Sequence, residues 1–297
     1  MVKGSYGRLS VISYQSMAYL QKMTSIKFSN AKYKGFVDEK YFVDEFLNLL
    51  ENPDELLSKE GIIFIKVDRP AIIAEVPVFV NGTKIMLIIK RWNRTDIKRM
   101  IRDARKPMRT WLATNRFQSL GVPTAYPVAV LERKKFSFFH KSVYISEKIL
   151  NSVTIFEFSG QRFKDPNIKN RVISDLARLV KRLHKLGVYH NDLGPTNIMV
   201  QENNKDINLY LLDLDGIKFK KAISKKERVI SLTRVLLTLC RLSNIERSDI
   251  KAFFDEYFND NEEVGLQKRQ YMEHIQRRAL KIWPHHLAAF NKLLELD

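Results

Sequence analysis

The chain has 297 residues, 45% hydrophobic and 28% charged, and a net charge of +18 from 51 Lys and Arg against 33 Asp and Glu. This balance excludes a disordered or low-complexity chain and favours an anionic partner. No apolar run approaches the ~20 residues of a membrane-spanning helix, and the N-terminus has no secretory-type apolar segment. The single cysteine, Cys240, excludes an internal disulfide and a Cys-rich zinc site. It lies in an apolar helical stretch, so a buried, inert thiol and a place in the reducing cytoplasm are expected.

In chain order, residues 1–60 are mixed and polar, with one predicted helix over Asp38–Leu50 and an acidic stretch to Glu60. Strands are predicted over Gly61–Lys66, Ala71–Val80 and Lys84–Lys90, the last two joined by Asn81-Gly82, whose residue types suit a two-residue hairpin turn. Two more strands are read over Ala125–Leu131 and Ser142–Lys148. Between Lys90 and Ala125 the basic region Thr95–Leu120 is split by Pro107 into a short helix to Arg105 and a second from Pro107 to Ser119. Asp165-Pro166 reads as an N-cap followed by Pro at N1, opening an amphipathic helix that ends before Gly187. A hairpin over Asn197–Gln201 and Ile207–Asp213 follows. Ser224 and Glu227 form a capping-box pattern for the apolar helix Lys225–Leu242, and the remainder reads as amphipathic helices. A strand-rich part thus precedes a helix-rich part, with the break near residue 150, which predicts a two-lobed α+β architecture.

Three separated pieces form a chemical set. The loop Tyr189-His190-Asn191-Asp192-Leu193-Gly194-Pro195-Thr196-Asn197 follows a helix and precedes a strand; Asp213 and Asp215 end the next strand; Lys90 ends the Asn-Gly hairpin. Phosphoryl transfer needs positioning and charge neutralisation more than covalent catalysis. Asp192 can accept the acceptor hydroxyl's proton, Asn197 and Asp213 are hard oxygen ligands for Mg²⁺, and Lys90 is a cation for the ATP phosphates.

His190-x-Asp192-x-x-x-x-Asn197 matches the protein-kinase catalytic loop, Asp213 resembles the magnesium aspartate of D-F-G, and Ile88-Ile89-Lys90 resembles the V-A-I-K strand. The stretches Trp111 to Thr124, Leu183 to His190 and Leu209 to Asp215 resemble the bacterial lipopolysaccharide core kinases, which phosphorylate Kdo or heptose, over about residues 60–245. The resemblance implies a protein-kinase-like fold, with a small β-rich N-lobe at 61–150, a helical C-lobe at 151–297, an ATP cleft between them, and residues 1–60 as an extension packed on or beside the N-lobe. It implies ATP and Mg²⁺ as cofactors, catalysis by Asp192, metal ligation by Asn197 and Asp213, and ATP binding by Lys90, with the backbone at Glu147 and Ile149 holding adenine. The implied partners are the lipopolysaccharide inner core, or a related anionic glycolipid, and the anionic inner-membrane surface. The implied location is cytoplasmic and peripheral on the inner membrane. No nucleic-acid motif is present, and no nucleic acid is expected.

Two departures support a non-protein acceptor. Asn191 stands where regulated protein kinases carry the Arg of H-R-D, and no A-P-E triplet separates Asp213 from the helix at Lys225. Others stand apart from the family pattern: no G-x-G-x-x-G occurs, and the first strand pair turns at Val67-Asp68-Arg69-Pro70. Thr110 occupies the place of the helix glutamate that should pair with Lys90, with Asp103 two turns earlier as a candidate substitute. Asp215 is read as either an added metal or phosphate-site group or a plain loop carboxylate. His190 is read as a packing residue, His184 as a packing or surface residue, His285-His286 as a solvated or packing pair, and Phe136, Phe138 and Phe139 as either a membrane-touching hairpin or a basic turn. The basic clusters Lys90–Arg109, Lys218–Arg228 and Lys268–Arg278 favour an anionic surface. The competing readings are an atypical, RIO-like protein kinase and an inactive basic binding module.

Overall fold

Asn81 and Gly82 sit at φ of 51° and 71°, the left-handed conformation a two-residue hairpin turn requires, and fold β4 (Ala71–Val80) onto β5 (Thr83–Arg94). The computed structural model that shows this describes residues 25–68, 71–94, 106–134, 140–203, 206–259 and 262–282. The expected helix over 95–105, Asp103, the Arg69-Pro70 part of the first turn, the Phe136, Phe138 and Phe139 segment and His285-His286 lie outside these residues. The chain divides into one unit of residues 1–107 and 127–147 and a second of 108–126 and 148–297.

The first unit is a seven-stranded antiparallel sheet. β1 (Ser25–Ser29), β2 (Tyr33–Asp38), β3 (Ile63–Asp68), β6 (Pro127–Arg133) and β7 (His140–Glu147) join the hairpin in the order β1-β2-β6-β7-β5-β4-β3. The predicted helix Asp38–Leu50 is corrected here. Asp38 closes β2, and its carboxylate accepts from the Lys40 backbone N–H at 3.1 Å; extended Val43 then leads into a shorter helix, α1 (Asp44–Glu51). The β1–β2 hairpin has no turn dipeptide as strong as Asn-Gly to announce it. Gly35 is required there, because a Cβ would lie 1.8 Å from the Val130 carbonyl oxygen on β6.

Period-two alternation gives this sheet two unlike faces. One face carries Val76, Val78, Leu87 and Ile89, all fully buried, and also Arg91. The segment around α1 packs beside it: Phe46, Leu50 and Leu56 are buried, Arg91 donates to Asp54 at 2.6 Å, and the Asn81 N–H donates to Glu45 at 2.7 Å. The opposite face carries Ile73, Glu75, Ile88, Lys90 and Trp92.

The second unit is mainly helical. It holds most of α2 (Lys106–Ser119), then α3 (Ile155–Arg162), α4 (Pro166–Lys185), α5 (Lys225–Leu239), α6 (Arg247–Phe258) and α7 (Glu262–Ile282). Short ladders accompany them: β8 (Ser152–Thr154) with β10 (Ile198–Asn203) and β11 (Asp206–Leu211), and β9 (Val188–Tyr189) with β12 (Lys218–Phe219). Asp165 caps α4 with Pro166 at its first position, and Ser224 and Glu227 form the full capping box of α5. A second box, Thr154 with Glu157, opens α3, an element absent from the sequence reading. The α4 stripe Val172, Ile173, Leu176, Val180 and Leu183 is buried in one core with Leu232, Leu236, Phe253 and Ile275. The nearly buried ion pair Lys169–Asp249, at 2.9 Å, ties the start of α4 to the start of α6.

His184 fastens three helices. Arg228 donates to the Tyr257 hydroxyl at 2.7 Å, so that hydroxyl is free to donate to His184 Nδ1 at 2.6 Å; Nε2–H then donates to Ser231 Oγ at 2.9 Å. Burial, and secondarily the Arg228 charge, push the imidazole down to about 3. The unfolded histidine titrates near ~6.5, so between that pH and about 3 only the unfolded state takes up this proton. Its contribution to stability is therefore complete above ~6.5 and declines as the pH falls through this window. In urea denaturation, the stability advantage of the wild type over His184→Gln should shrink steadily from pH 7.5 to pH 5. A pH-independent difference would contradict the neutral-imidazole assignment.

Candidate functional site

The loop Tyr189–Asn197 is fixed at both ends and in the middle. At its start, Gly187 has φ of +68°, and a Cβ there would sit 2.0 Å from the Lys220 carbonyl oxygen, so glycine lets the two chains touch. The Lys220 N–H donates to the Gly187 carbonyl at 2.9 Å, and Tyr189 pairs with Lys218 across β9 and β12. In mid-loop, buried Leu193 gives its carbonyl to the Thr238 hydroxyl of α5 at 2.6 Å. At the end, the Leu212 N–H donates to the Asn197 carbonyl at 2.9 Å, extending the β10–β11 ladder in which Ile198 faces Leu211. That ladder brings Asn197 beside the chain that delivers Asp213.

Asn197 also faces back into the loop. Its Nδ2 donates to the Asp192 carbonyl at 3.0 Å and to Asp192 Oδ2 at 3.3 Å, which turns its amide oxygen the other way. Gly194 packs over this contact, with its Cβ position 3.8 Å from Asp192 Oδ1 and 3.9 Å from Asn197 Nδ2. Asp213 has φ 53° and ψ 58°, a left-handed conformation uncommon for a residue with a side chain and one that concentrates at functional sites. The chain before it is held by the Leu211 N–H donating to the Pro123 carbonyl at 3.0 Å and by the Thr124 hydroxyl donating to the Leu211 carbonyl at 2.8 Å.

His190 is buried at the centre of this set, and its Nδ1 accepts from the Asp192 N–H at 3.2 Å. Burial lowers its pKa against the opposing pull of the Leu212 backbone and of the carboxylates Asp192, Asp213 and Asp215. The packing role expected of it thus coincides with a position touched by the field of all three acids. The exposed Asp213 carboxylate and the Asn197 amide oxygen are hard-oxygen donors of the kind that suits Mg²⁺, and the exposed Asp192 carboxylate lies beside Asn197. Among the described residues, no cluster of three or more His, Cys, Asp or Glu is placed to hold a metal ion. Asp215 is half-buried in the turn Leu214–Gly216, and Gly216 approaches Asn191 so closely that a Cβ would lie 2.9 Å from its Oδ1.

The structure therefore brings Asp192, Asn197 and Asp213 together in the second unit. Lys90 lies in the sheet unit, opposite Ile73 on β4 and Tyr144 on β7, its ammonium 5.1 Å from the Trp92 ring centroid. Glu147 ends β7 on the other sheet face, opposite Leu87, and its side chain accepts from Lys40 at 2.7 Å and from the Tyr41 hydroxyl at 2.5 Å. Its carboxylate thus fastens the turn after β2, leaving the backbone for any nucleotide contact. Ile149 follows Lys148, where the chain returns to the second unit, and its carbonyl accepts from the Ser152 hydroxyl at 2.7 Å. Thr110 is buried on α2, and Cys240 is partly buried with its thiol pushed up to about 11 by burial, an inert group as expected. The sequence reading missed Thr238 and Glu75. The first reads as one more residue of an apolar helix. The second, a charged residue inside a predicted strand, was the available signal.

Comparison with known proteins agrees with this architecture. The family model described as lipopolysaccharide kinase (Kdo/WaaP) family matches residues 88–257. The lipopolysaccharide core heptose(I) kinase WaaP of Escherichia coli is 21% identical over 208 residues, 65% of this chain and 78% of that protein. The 3-deoxy-D-manno-octulosonic acid kinase of Mannheimia succiniciproducens is 26% identical over 137 residues, 46% of this chain and 55% of that protein. Among solved structures, WaaP in complex with acyl carrier protein superposes with a TM-score of 0.58 at 20% identity, covering 78% of this chain and 93% of that one, which supports the kinase-like fold. The matched segment runs from the Lys90 strand through the Tyr189–Asn197 loop and Asp213 to α6, and by it the chain belongs to the lipopolysaccharide kinase (Kdo/WaaP) family.

Proposed function

We propose that this kinase transfers the γ-phosphoryl group of ATP to a hydroxyl of an inner-core lipopolysaccharide sugar, Kdo or heptose. The observation that carries the reading is the convergence of Asp192, Asn197 and Asp213 at the open end of the β10–β11 ladder. Asp192 takes the proton of the acceptor hydroxyl as its oxygen bonds to the γ-phosphorus; the bond to the β-phosphate oxygen breaks and ADP leaves. Asn197 holds the Asp192 carboxylate by its amide nitrogen and presents its oxygen, with Asp213, to magnesium, which when bound neutralises phosphate charge. Lys90 serves the phosphates, and the backbone of Glu147 and Ile149 the adenine. In this reading residues 61–150 act as the N-lobe, 151–297 as the C-lobe and 1–60 as an extension of the N-lobe. The start of α5 at Lys225, soon after Asp213, supports a glycan over a peptide acceptor, since little chain remains to build a peptide-docking segment.

With Mg·ATP and dephosphorylated inner-core lipopolysaccharide, mass spectrometry should show one added phosphate. Asp192→Ala should lower the rate at least ~100-fold with unchanged thermal melting; full transfer by that variant would remove Asp192 from its role. We further place the enzyme at the cytoplasmic face of the inner membrane, on the strength of the +18 charge and of basic clusters that suit an anionic surface. Cosedimentation with vesicles should rise with phosphatidylglycerol content and fall with salt. Binding insensitive to both would contradict peripheral attachment.

A further inference from the structure

Two basic runs that are far apart in sequence meet in the second unit. α5 and α7 pack together, Lys225 donates to Gln270 at 3.3 Å, and its ammonium lies 5.4 Å from the Tyr271 ring centroid. Two cavities adjoin along this seam through Lys226 and Ile230. One, of about 420 Å³, is lined by Tyr189, Lys218, Lys220 and the start of α5; the other, of about 300 Å³, by Lys225, Val229, His274 and Arg278. Five basic side chains line the pair against one carboxylate, Glu227. Glu227 is already committed to Lys220 at 2.5 Å and to Ser224 in the helix cap. Lys218, Lys226 and Arg278 form no ion pair with another described residue. Arg278 Nε is buried without a hydrogen-bond acceptor, which is costly for a guanidinium N–H unless a ligand supplies one. The Tyr189 hydroxyl lies within the field of Glu227 and, opposing it, of Arg278, Arg234 and Lys220.

Tyr189 stands three residues before Asp192, about 10 Å along an extended chain. A ligand seated against Tyr189 and Lys218 therefore has its neighbouring units within reach of the catalytic loop. We propose that this double groove is the subsite for the anionic groups, phosphate or carboxylate, of the saccharide acceptor beside the hydroxyl that is phosphorylated. The proposal rests on the inner-core reading above. Anionic headgroups of a bilayer share the same chemistry, and the test separates them.

The test uses Lys218→Glu/Lys226→Glu and, separately, Arg278→Gln in the full chain. The probes are water-soluble deacylated inner-core oligosaccharide, nucleotide, and phosphatidylglycerol vesicles. The charge-reversal pair should weaken oligosaccharide binding and raise its KM about tenfold or more, with nucleotide affinity and melting temperature unchanged. Arg278→Gln, milder in its packing, should show the same selectivity to a smaller degree. Wild-type oligosaccharide binding in both variants overturns the proposal, and so does a loss confined to the vesicles. If the wild type binds nucleotide but neither binds nor phosphorylates the oligosaccharide, the core-kinase reading falls as well. If it does both and the variants match it, the groove assignment alone falls.

A second observation, in the sheet unit, is independent of the groove. Glu75 is 9% exposed in the middle of β4. It pairs with Ile88 while Ile73 pairs with Lys90, so Glu75 and Lys90 share a face one diagonal step apart, a Cα separation of about 7–8 Å that two long side chains span. A carboxylate so deeply placed requires a cation. Lys66, opposite Ile73 on β3, also shares this face but is exposed. Thr110 meanwhile leaves described α2 without an acidic residue. We infer that Glu75 is the positioning residue for Lys90, replacing the helix glutamate, again on the phosphoryl-transfer reading. Nucleotide dissociation constants of Glu75→Gln, Lys90→Met and the double variant decide it. Glu75→Gln should bind about tenfold more weakly, Glu75→Asp should recover part of the loss, and the double variant should bind no worse than Lys90→Met. Additive losses, or wild-type affinity in Glu75→Gln, overturn the inference. A wild type with no nucleotide affinity overturns the inference and the kinase reading together.

Discussion

The hydrogen bond from the Leu212 N–H to the Asn197 carbonyl is the constraint on which the site depends. It continues a β-ladder by one step past its last paired residues, Ile198 and Leu211, and so joins two short polar segments separated by a hairpin. Asn197 then turns its amide nitrogen onto Asp192, and Asp213 leaves the ladder in a left-handed conformation that a continuing strand would not allow. The Asp192 carboxylate, the Asn197 amide and the Asp213 carboxylate are thereby placed by backbone geometry, with little reliance on the rotamers of long side chains. Such placement suits a reaction whose demands are position and charge. The loop in turn hangs on α5 through Thr238 and on β12 through Gly187, which explains why an apolar helix and a glycine far from any chemistry belong to the same machinery.

Polar groups in the interior of the second unit follow one rule: each is given a partner or kept neutral. Arg228 donates to the Tyr257 hydroxyl, which in turn reaches His184, and burial, aided by the Arg228 charge, keeps that imidazole uncharged. His190 is likewise held below its usual range, although three carboxylates pull it upward. Desolvation outweighs them because Asp192 and Asp213 are exposed, and their fields are weakened by solvent. The same exposure suits the roles proposed for them, Asp213 toward a metal and Asp192 toward a substrate. The basic groove departs from the rule, since Arg278 Nε is buried with no acceptor.

Local signals carried much of this architecture. Asn81-Gly82, the Asp165-Pro166 cap, the Ser224–Glu227 box and Gly187 each act through backbone conformation over a few residues, so their elements are readable in isolation. The spacing of His190, Asp192 and Asn197 was readable because the loop that holds them is continuous in sequence. The β1–β2 hairpin was not, because its strands are short and its Gly35 is explained only by the approach of β6. Helix α1 was placed too early, since extended Val43 and the cap at Asp38 outweigh the helical spacing of Phe and Leu around them. The meeting of the two basic runs was equally hidden, because only the packing of α5 on α7 turns two solvated faces into one groove.

Glu75 shows why a missing motif residue is weaker evidence than a present one. Pattern matching looks for the lysine's partner at one position on one helix, and at Thr110 it finds none. The physical requirement is looser: a carboxylate close to the ammonium, held out of water, and fixed on a rigid element. A strand adjoining β5 meets that requirement as directly as a helix, because residues two apart on β4 lie on one face beside Lys90. Only the face parity of the sheet reveals this, and parity depends on register: a one-residue slip of β4 would move Glu75 to the buried face that holds Leu87 and Ile89. A charge is tolerable at Glu75 because the hairpin turn at Asn81-Gly82 fixes that register, so the turn that gives the sheet its shape also determines which face the carboxylate occupies.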